Sequence, residues 1–443
     1  MSETANRANW GSKLGFILAA SGSAVGLGAI WKFPYVAGKN GGGAFLIAYL
    51  VCVFTIGIAL LLAEMLIGRT AKKSATTAFR DLKGGLWPWA GRLSVLCIFI
   101  ILSYYCVVGG WTIAYIFRSI TGEALTSDTK ALSAAFGSFI ANPGQALGYT
   151  AAFLGITVAV VMGGVEKGIE RMSKVLMPAL FLLMLILIAR SLTLPDAWDG
   201  VKYFITPDFS KLTASMIVDA LGLAFFSLSL GGGMIIAYGS YLPQDTKLVG
   251  ATLWVSSLAT LACVLAGLMV LPAVFAFHVD PAAGPGLTFI TMPAIFAQMP
   301  AGQFFAIAFF FLLLFAALTS SVSILEPIVS FLIDEFGWAR KTATIAVAIA
   351  SFVVGIPAAL SFGPLADVQL FGKGPFDLMD YVASNMLMPA GGLFVALFVG
   401  WAIWPKIRNE LSAEGSAAVL PAFRLVCAVL APIVIGVIWY HNL

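Results

Sequence analysis

Apolar residues along this chain gather into long runs separated by short polar stretches. Eleven runs, at about 14–38, 42–68, 92–120, 147–164, 174–192, 214–240, 249–277, 302–333, 341–361, 376–404 and 419–440, can each supply the roughly 20 residues a helix needs to cross a bilayer. Lipid offers the backbone no hydrogen-bond partners, so such runs are helical wherever they face it. The pattern predicts an all-α polytopic membrane protein with eleven transmembrane helices. Two runs are interrupted. The first carries Gly22, Gly26 and Gly28, and the sixth carries SLSLGGG, Ser227 to Gly233. A glycine costs a helix about 1 kcal/mol relative to alanine, and unwound backbone at membrane depth survives only where protein or a water-filled cavity surrounds it. Breaks at matching positions five segments apart predict a 5+5 inverted repeat with discontinuous helices 1 and 6. Its halves would be 14–192 and 214–404, with 419–440 peripheral. Glycine also serves plain helix packing, which is how Gly109–Gly110 and Gly391–Gly392 read.

Composition agrees with this class. Of 443 residues 60% are hydrophobic and 10% charged, against about 25% charged in soluble domains. Placing residues 1–13 in the cytoplasm puts 17 of the 25 Lys and Arg on the inner side, so the positive-inside rule orients the N-terminus inward. The net charge of +4 then follows from topology and points to no nucleic-acid partner. Five cysteines lie singly in apolar runs, with neither metal nor disulfide spacing. Two histidines near segment ends and no nucleophile motif give no enzyme signature and no organic cofactor.

Broken helices have their own chemistry. Freed carbonyls suit a hard cation such as Na⁺, and freed N–H groups at a half-helix start suit a carboxylate. Thr319 and Ser320 in LTSS could add two hydroxyl ligands from segment 8, although such residues commonly bond back to their own helix. Glu64 and Glu326 lie inside apolar runs, where a carboxylate must face protein. Glu64 reads as a brace for the unwound part of segment 6; no role is assigned to Glu326.

WGSKLGFILAASGSAVGLGAIWKFPY, GGGAFLIAYL, EMLIGR, FFSLSLGGG, ITMPAIF, FAALTSSVSILEP and FDLMDYVASN, in this order, resemble the neurotransmitter:sodium symporter family, and most closely its bacterial eleven-span amino-acid branch. The resemblance implies a bacterial inner-membrane symporter that imports an amino acid with Na⁺ by alternating access. A second sodium site would comprise carbonyls of Gly22, Val25 and Ala316 with the Thr319 and Ser320 hydroxyls. The substrate pocket would comprise Ser23, Ala24, Gly26, Gly28, Ile101, Tyr105, Phe226, Ser227, Ser229, Gly232 and Ile324. The Gly28 amide and Tyr105 hydroxyl would hold the substrate carboxylate. Gly26 stands where monoamine carriers place an aspartate, which favours an amino acid. Outer gating falls to a Lys32–Asp380 ion pair, with Tyr105 and Phe226 forming an aromatic lid below it. Inner gating falls to Arg7 and Asp334, with Trp10 as plug and Tyr241 nearby.

The departures cluster at the first sodium site, which would involve Ala24, Ala29, Ser227 and Leu258. Ala29 replaces an asparagine ligand, and counting back from Pro272 puts the second asparagine on Leu258. Ala259, Ala262 and Leu223 stand where balancing polar groups are usual. A buried cation short of ligands costs several kcal/mol, so coupling to one Na⁺ is expected. Two ions rescued by Ser227 and water is the alternative. Lys32 in place of arginine loses the planar fork and predicts a weaker outer pair. Gly232 in place of a bulky wall predicts a roomier pocket for a hydrophobic or aromatic amino acid. Rival readings are an amino-acid sensor that binds without coupled transport, and a two-sodium symporter for a non-standard amino acid or amine.

Overall fold

The computed structural model describes residues 8–277 and 286–442, and among them it is all-helical. Ser12 starts α1 (Lys13–Ala24), its Oγ accepting from the Gly15 N–H. The helix stops at Val25, whose N–H closes on Ser21 O, and the chain resumes at a 53° bend as α2 (Gly28–Lys39). Then follow α3 (Gly43–Ala71), α4 (Ala75–Leu82), α5 (Pro88–Thr121), α6 (Thr129–Ala141), α7 (Pro143–Met162), α8 (Val165–Leu192) and α9 (Ala197–Ile205). The sixth apolar segment is two short helices, α10 (Ala214–Ser227) and α11 (Met234–Ser240). The chain ends with α12 (Leu248–Ala276), α13 (Thr288–Ala297), α14 (Gly302–Phe336), α15 (Arg340–Ala359), α16 (Pro375–Ala402), α17 (Trp404–Ala413) and α18 (Ala417–Tyr440).

Nine of the described helices are long and apolar enough to span a bilayer alone, and the bent α1–α2 pair makes a tenth. Neither α10 nor α11 has the length by itself, because the glycine break divides the run. Backbone conformation explains the break: Ser229, Gly231 and Gly233 have φ of +55°, +84° and +72°, which no continuous right-handed helix accepts. Glycine carries two of these at no steric cost. Gly231 is further fixed by space, since a Cβ there would sit 2.1 Å from Met388 O.

The two breaks lie at the centre of the molecule. Helix α14 packs on α1, α5, α7 and α8, while α11 packs on α3. The elements that carry the breaks are therefore walled by protein, as unwound backbone in a membrane requires. Long lipid-facing side chains such as Leu182, Trp254 and Ile349 stay exposed on the outside of this core.

Candidate substrate and sodium sites

The interruption in α1–α2 leaves carbonyls that side chains reach. Ser320 Oγ lies 3.3 Å from Gly22 O and 3.2 Å from Ser23 O, and Ser229 Oγ donates to Ser23 O at 2.8 Å. That last bond stitches the two breaks together and offsets the strain of a serine at positive φ, which is on the order of 1–3 kcal/mol. Thr319 Oγ1 donates to Ala316 O at 3.0 Å, and a Cβ on Gly22 would lie 3.1 Å from Thr319 Cβ. Gly22, Ala316, Thr319 and Ser320 are thus brought together, all buried. Val25 is buried beside them, with its N–H spent on Ser21 O.

Beside this cluster is a cavity of about 50 Å³ lined by Ser23, Ala24, Gly26, Gly28, Ile101, Tyr105, Phe226, Ser229 and Ile324. Leu27, Met234, Ser320 and Met388 complete its wall. Tyr105 OH accepts from the Leu27 N–H at 3.4 Å. A Cβ on Gly26 would meet Ser320 Oγ at 2.3 Å, so an aspartate could not enter there without displacing that hydroxyl. Phe226 covers the cavity, its Cε1 only 2.1 Å from where a Gly28 Cβ would be. Glycine at 28 is what lets the ring close.

Two expected pocket residues stand elsewhere. Ser227 Oγ pairs with Tyr49 OH at 2.8 Å and so turns away from the cavity. Gly232 is not on the wall either: a Cβ there would lie 2.8 Å from Ile98 Cγ2 and 2.9 Å from Met234 Cε. Neighbouring side chains already fill the space that the missing side chain leaves, so the roomier pocket expected from Gly232 is not formed. Met234 was not read from the sequence. A glycine reveals that space is available, not which flexible neighbour takes it.

Two neighbouring residues of α12, Leu258 and Ala259, bear on the expected first sodium site. Leu258 is only partly buried, whereas Ala259 is 1% exposed. Tyr49 OH donates to Cys263 Sγ at 3.3 Å, which fixes the face of α12 that looks toward Ser227. One residue turns a side chain by about 100°, so Leu258 points away from the Cys263 face of α12, whereas Ala259, one turn from Cys263, lies on it. Ala259 likewise lacks a side-chain oxygen, and Ala29 is fully buried within the apolar core.

Lys32 and Asp380 both line a further cavity of about 210 Å³ on the other side of Phe226, yet no ion pair within 4 Å joins them. Asp380 Oδ1 accepts instead from Tyr104 OH at 2.8 Å and Ser384 Oγ at 2.9 Å. Lys32 Nζ stands 5.0 Å from the Phe226 ring centroid, a cation–π contact of about 0.5–1 kcal/mol where water reaches it. The expected outer ion pair is replaced by a lysine held over the lid.

At the opposite end Trp10 Nε1 donates to Tyr238 O at 3.0 Å, and its ring packs on Phe16, Tyr238 and Tyr241. Asp334 Oδ2 accepts from the Ser74 N–H at 2.6 Å; Arg7 lies outside the described residues. Glu326, fully buried, accepts from Tyr241 OH at 2.7 Å and pairs with Arg340 through both oxygens at 2.6 and 2.9 Å. Glu64 Oε1 accepts from the Gly231 N–H at 2.7 Å, with the N–H groups of Ile235 and Ile236 close by. It holds the break of the sixth segment open. Among the described residues no group of three or more His, Cys, Asp or Glu side chains could hold a metal ion.

Comparison with known proteins agrees with this geometry. The chain is 43% identical over 406 residues to an uncharacterized sodium-dependent transporter, YhdH, of Bacillus subtilis, covering 91% of this chain and 89% of that one. A second uncharacterized sodium-dependent transporter, from Haemophilus influenzae, is 37% identical over 99% of this chain and 98% of its own length. Among solved structures, MhsT in complex with L-phenylalanine superposes with a TM-score of 0.91 at 42% identity, covering 99% of this chain and all of that one. Residues 7–131 and 128–443 match the sodium:neurotransmitter symporter family, and this multi-pass membrane protein belongs to it.

Proposed function

We propose that this protein imports an amino acid with a large apolar side chain across the bacterial inner membrane, driven by one Na⁺ bound at the second sodium site. The carrying observation is the convergence of Ser320 Oγ on Gly22 O at 3.3 Å beside Thr319 and Ala316. A hydroxyl rotates freely between donating and accepting, so both hydroxyls can turn their lone pairs to a cation while the freed carbonyls complete its shell. On the other side Ala29 and Ala259 contribute no side-chain oxygen, and the Ser227 hydroxyl is taken by Tyr49. This favours one ion over two.

On this reading the Gly28 N–H and the Tyr105 hydroxyl receive the substrate carboxylate under the Phe226 lid, both residues lining the cavity. Ile101, Ile324, Met234 and Met388 make the rest of the cavity apolar. At about 50 Å³ the cavity is small for such a substrate. Met234 is the side chain that must move, and an unbranched thioether adapts at low cost. The phenylalanine complex of MhsT supports an aromatic substrate. The lysine and arginine count supports an inward N-terminus, which makes Lys32 outer and Trp10 inner.

Thermal denaturation with each of the twenty amino acids, with and without Na⁺, tests the reading. A hydrophobic or aromatic amino acid should raise the transition only when Na⁺ is present, by linkage to the folded state. Uptake into liposomes should then follow Na⁺ with a Hill coefficient near one. A coefficient near two would overturn the single-ion assignment. Binding without counterflow of labelled amino acid would overturn transport in favour of a sensor.

A further inference from the structure

The charges on α5 mark where the bilayer ends. Residues 93–117 carry none, so Arg92 and Arg118 stand about 39 Å apart along the helix. A hydrocarbon core of about 30 Å, or about 40–45 Å with its headgroup regions, puts both guanidiniums at headgroup depth. The Lys and Arg count places Arg92 on the cytoplasmic side. There a cavity of about 630 Å³ opens between the first turns of α5 and the last turns of α16. Leu93, Leu96, Phe394 and Leu397 give it apolar walls, and Leu86 and Trp89 in its lining stay exposed. Among the described residues Arg92 is its one charged lining residue. The Arg92 guanidinium lies 4.6 Å from the Trp89 ring centroid. A ring contact satisfies none of its five N–H donors, and among the described residues no carboxylate lies within 4 Å of it. Asp81 of α4 and Glu335 of α14 pair with Arg80 instead.

The walls of this groove are held in place from behind. Phe79 of α4 stacks on Trp87 at 6.4 Å and meets Phe398 of α16 at 4.5 Å, so three helices fix its shape. A preformed groove binds with little ordering cost. An unpartnered guanidinium beside apolar walls, at headgroup depth, is matched by a phosphate carried on an acyl chain. The planar fork of arginine engages two phosphate oxygens at once. A headgroup with its own ammonium would set a second cation beside Arg92, so a net negative one is preferred. The cytoplasmic leaflet is where such headgroups concentrate. We propose that this groove binds one anionic glycerophospholipid of the cytoplasmic leaflet, its phosphate on Arg92 and an acyl chain between α5 and α16. This binding is independent of which substrate the protein carries.

The probe is dioleoyl phosphatidylglycerol, titrated into the detergent-purified full chain and followed by native mass spectrometry. Dioleoyl phosphatidylcholine is the control, with the same phosphate and chains but an added ammonium. The first phosphatidylglycerol should bind at least tenfold more tightly than the first phosphatidylcholine. Arg92→Gln should remove that preference, whereas Arg92→Lys should keep part of it, since lysine retains the charge without the fork. Leu397→Trp should fill the groove and weaken phosphatidylglycerol at least tenfold with Arg92 in place. Arg118→Gln, at the opposite headgroup level, should change nothing. sn-Glycerol 3-phosphate, a headgroup without chains, should not displace the lipid. Equal affinity for the two lipids, an unchanged preference in Arg92→Gln, or the same loss in Arg118→Gln would each overturn the proposal. Displacement by sn-glycerol 3-phosphate would overturn it in favour of a soluble phosphate ester. If Leu397→Trp fails to fold, the contrast between Arg92→Gln and Arg118→Gln decides alone, because both arginines are on the surface.

Discussion

Gly28 and Ser320 show how much rests on single atoms at this site. A methyl group on Gly28 would overlap the Phe226 ring, with 2.1 Å to the nearest ring carbon. Gly28→Ala should therefore prop the lid open and weaken substrate binding tenfold or more, while Na⁺ binding measured without substrate stays the same. Equal affinity in the variant, by titration of labelled amino acid, would mean the lid does not close on residue 28. Ser320→Ala acts on the other partner. Hydrogen bonds and ligand contacts to charged groups contribute about 1.5–3 kcal/mol, so half-saturation by Na⁺ should rise at least tenfold. The added methyl and the lost hydroxyl thus separate substrate from ion, and each has its own readout.

At the scale of elements, Glu64 is the test of how the sixth segment is kept broken. Its Oε1 receives the Gly231 N–H, and Gly231 O receives Ser94 Oγ at 3.1 Å, so both polar groups of this peptide are satisfied by side chains. Glu64→Ala would leave a buried N–H without a partner, at a cost of about 1–3 kcal/mol. Glu64→Gln keeps an oxygen for it. Chemical denaturation should rank wild type, glutamine variant and alanine variant in falling order, and an alanine variant as stable as wild type would contradict the bracing role. The breaks themselves were legible in sequence because glycine is costly in a helix and its clusters stand out against an apolar run. Positions at helix ends of known conformation were legible for the same reason. Side-chain facing on α12 was not, because one residue of counting decides whether Leu258 or Ala259 shares the Cys263 face. The partner of Glu326 was recoverable in principle, since a carboxylate in an apolar run needs a cation, and Arg340 lies fourteen residues on. Nothing local marks Met234 as the occupant of the gap at Gly232, because that contact depends on a rotamer.

Across the whole molecule, closure at the Trp10 end is a chain of contacts from α1 through α11 to α14 and α15. Trp10 bonds through its backbone N–H to Tyr241 O at 3.2 Å and through its ring to Tyr238 O, Tyr241 OH bonds to Glu326, and Glu326 pairs with Arg340. Removing one member of a buried pair costs about 3–5 kcal/mol because the other charge is left uncompensated. Here the figure falls below that range, since the Arg340 side chain is 24% exposed and water can replace part of it. Arg340→Gln should strand the Glu326 charge and loosen Tyr241, which carries the docking site of Trp10. Amide hydrogen exchange across residues 10–24 should speed up, because local opening reports the loss of such contacts. Substrate affinity should fall with it, since the pocket floor at Ser23 and Ala24 belongs to the same helix. Arg340→Gln combined with Glu326→Gln leaves no stranded charge and keeps an amide for Tyr241, so exchange should return most of the way to wild type. Fast exchange in the double variant would assign the effect to lost packing of Arg340 rather than to charge. Unchanged exchange in the single variant would show that α1 docks independently of the pair, and the proposed path from α15 to the Trp10 end would fail.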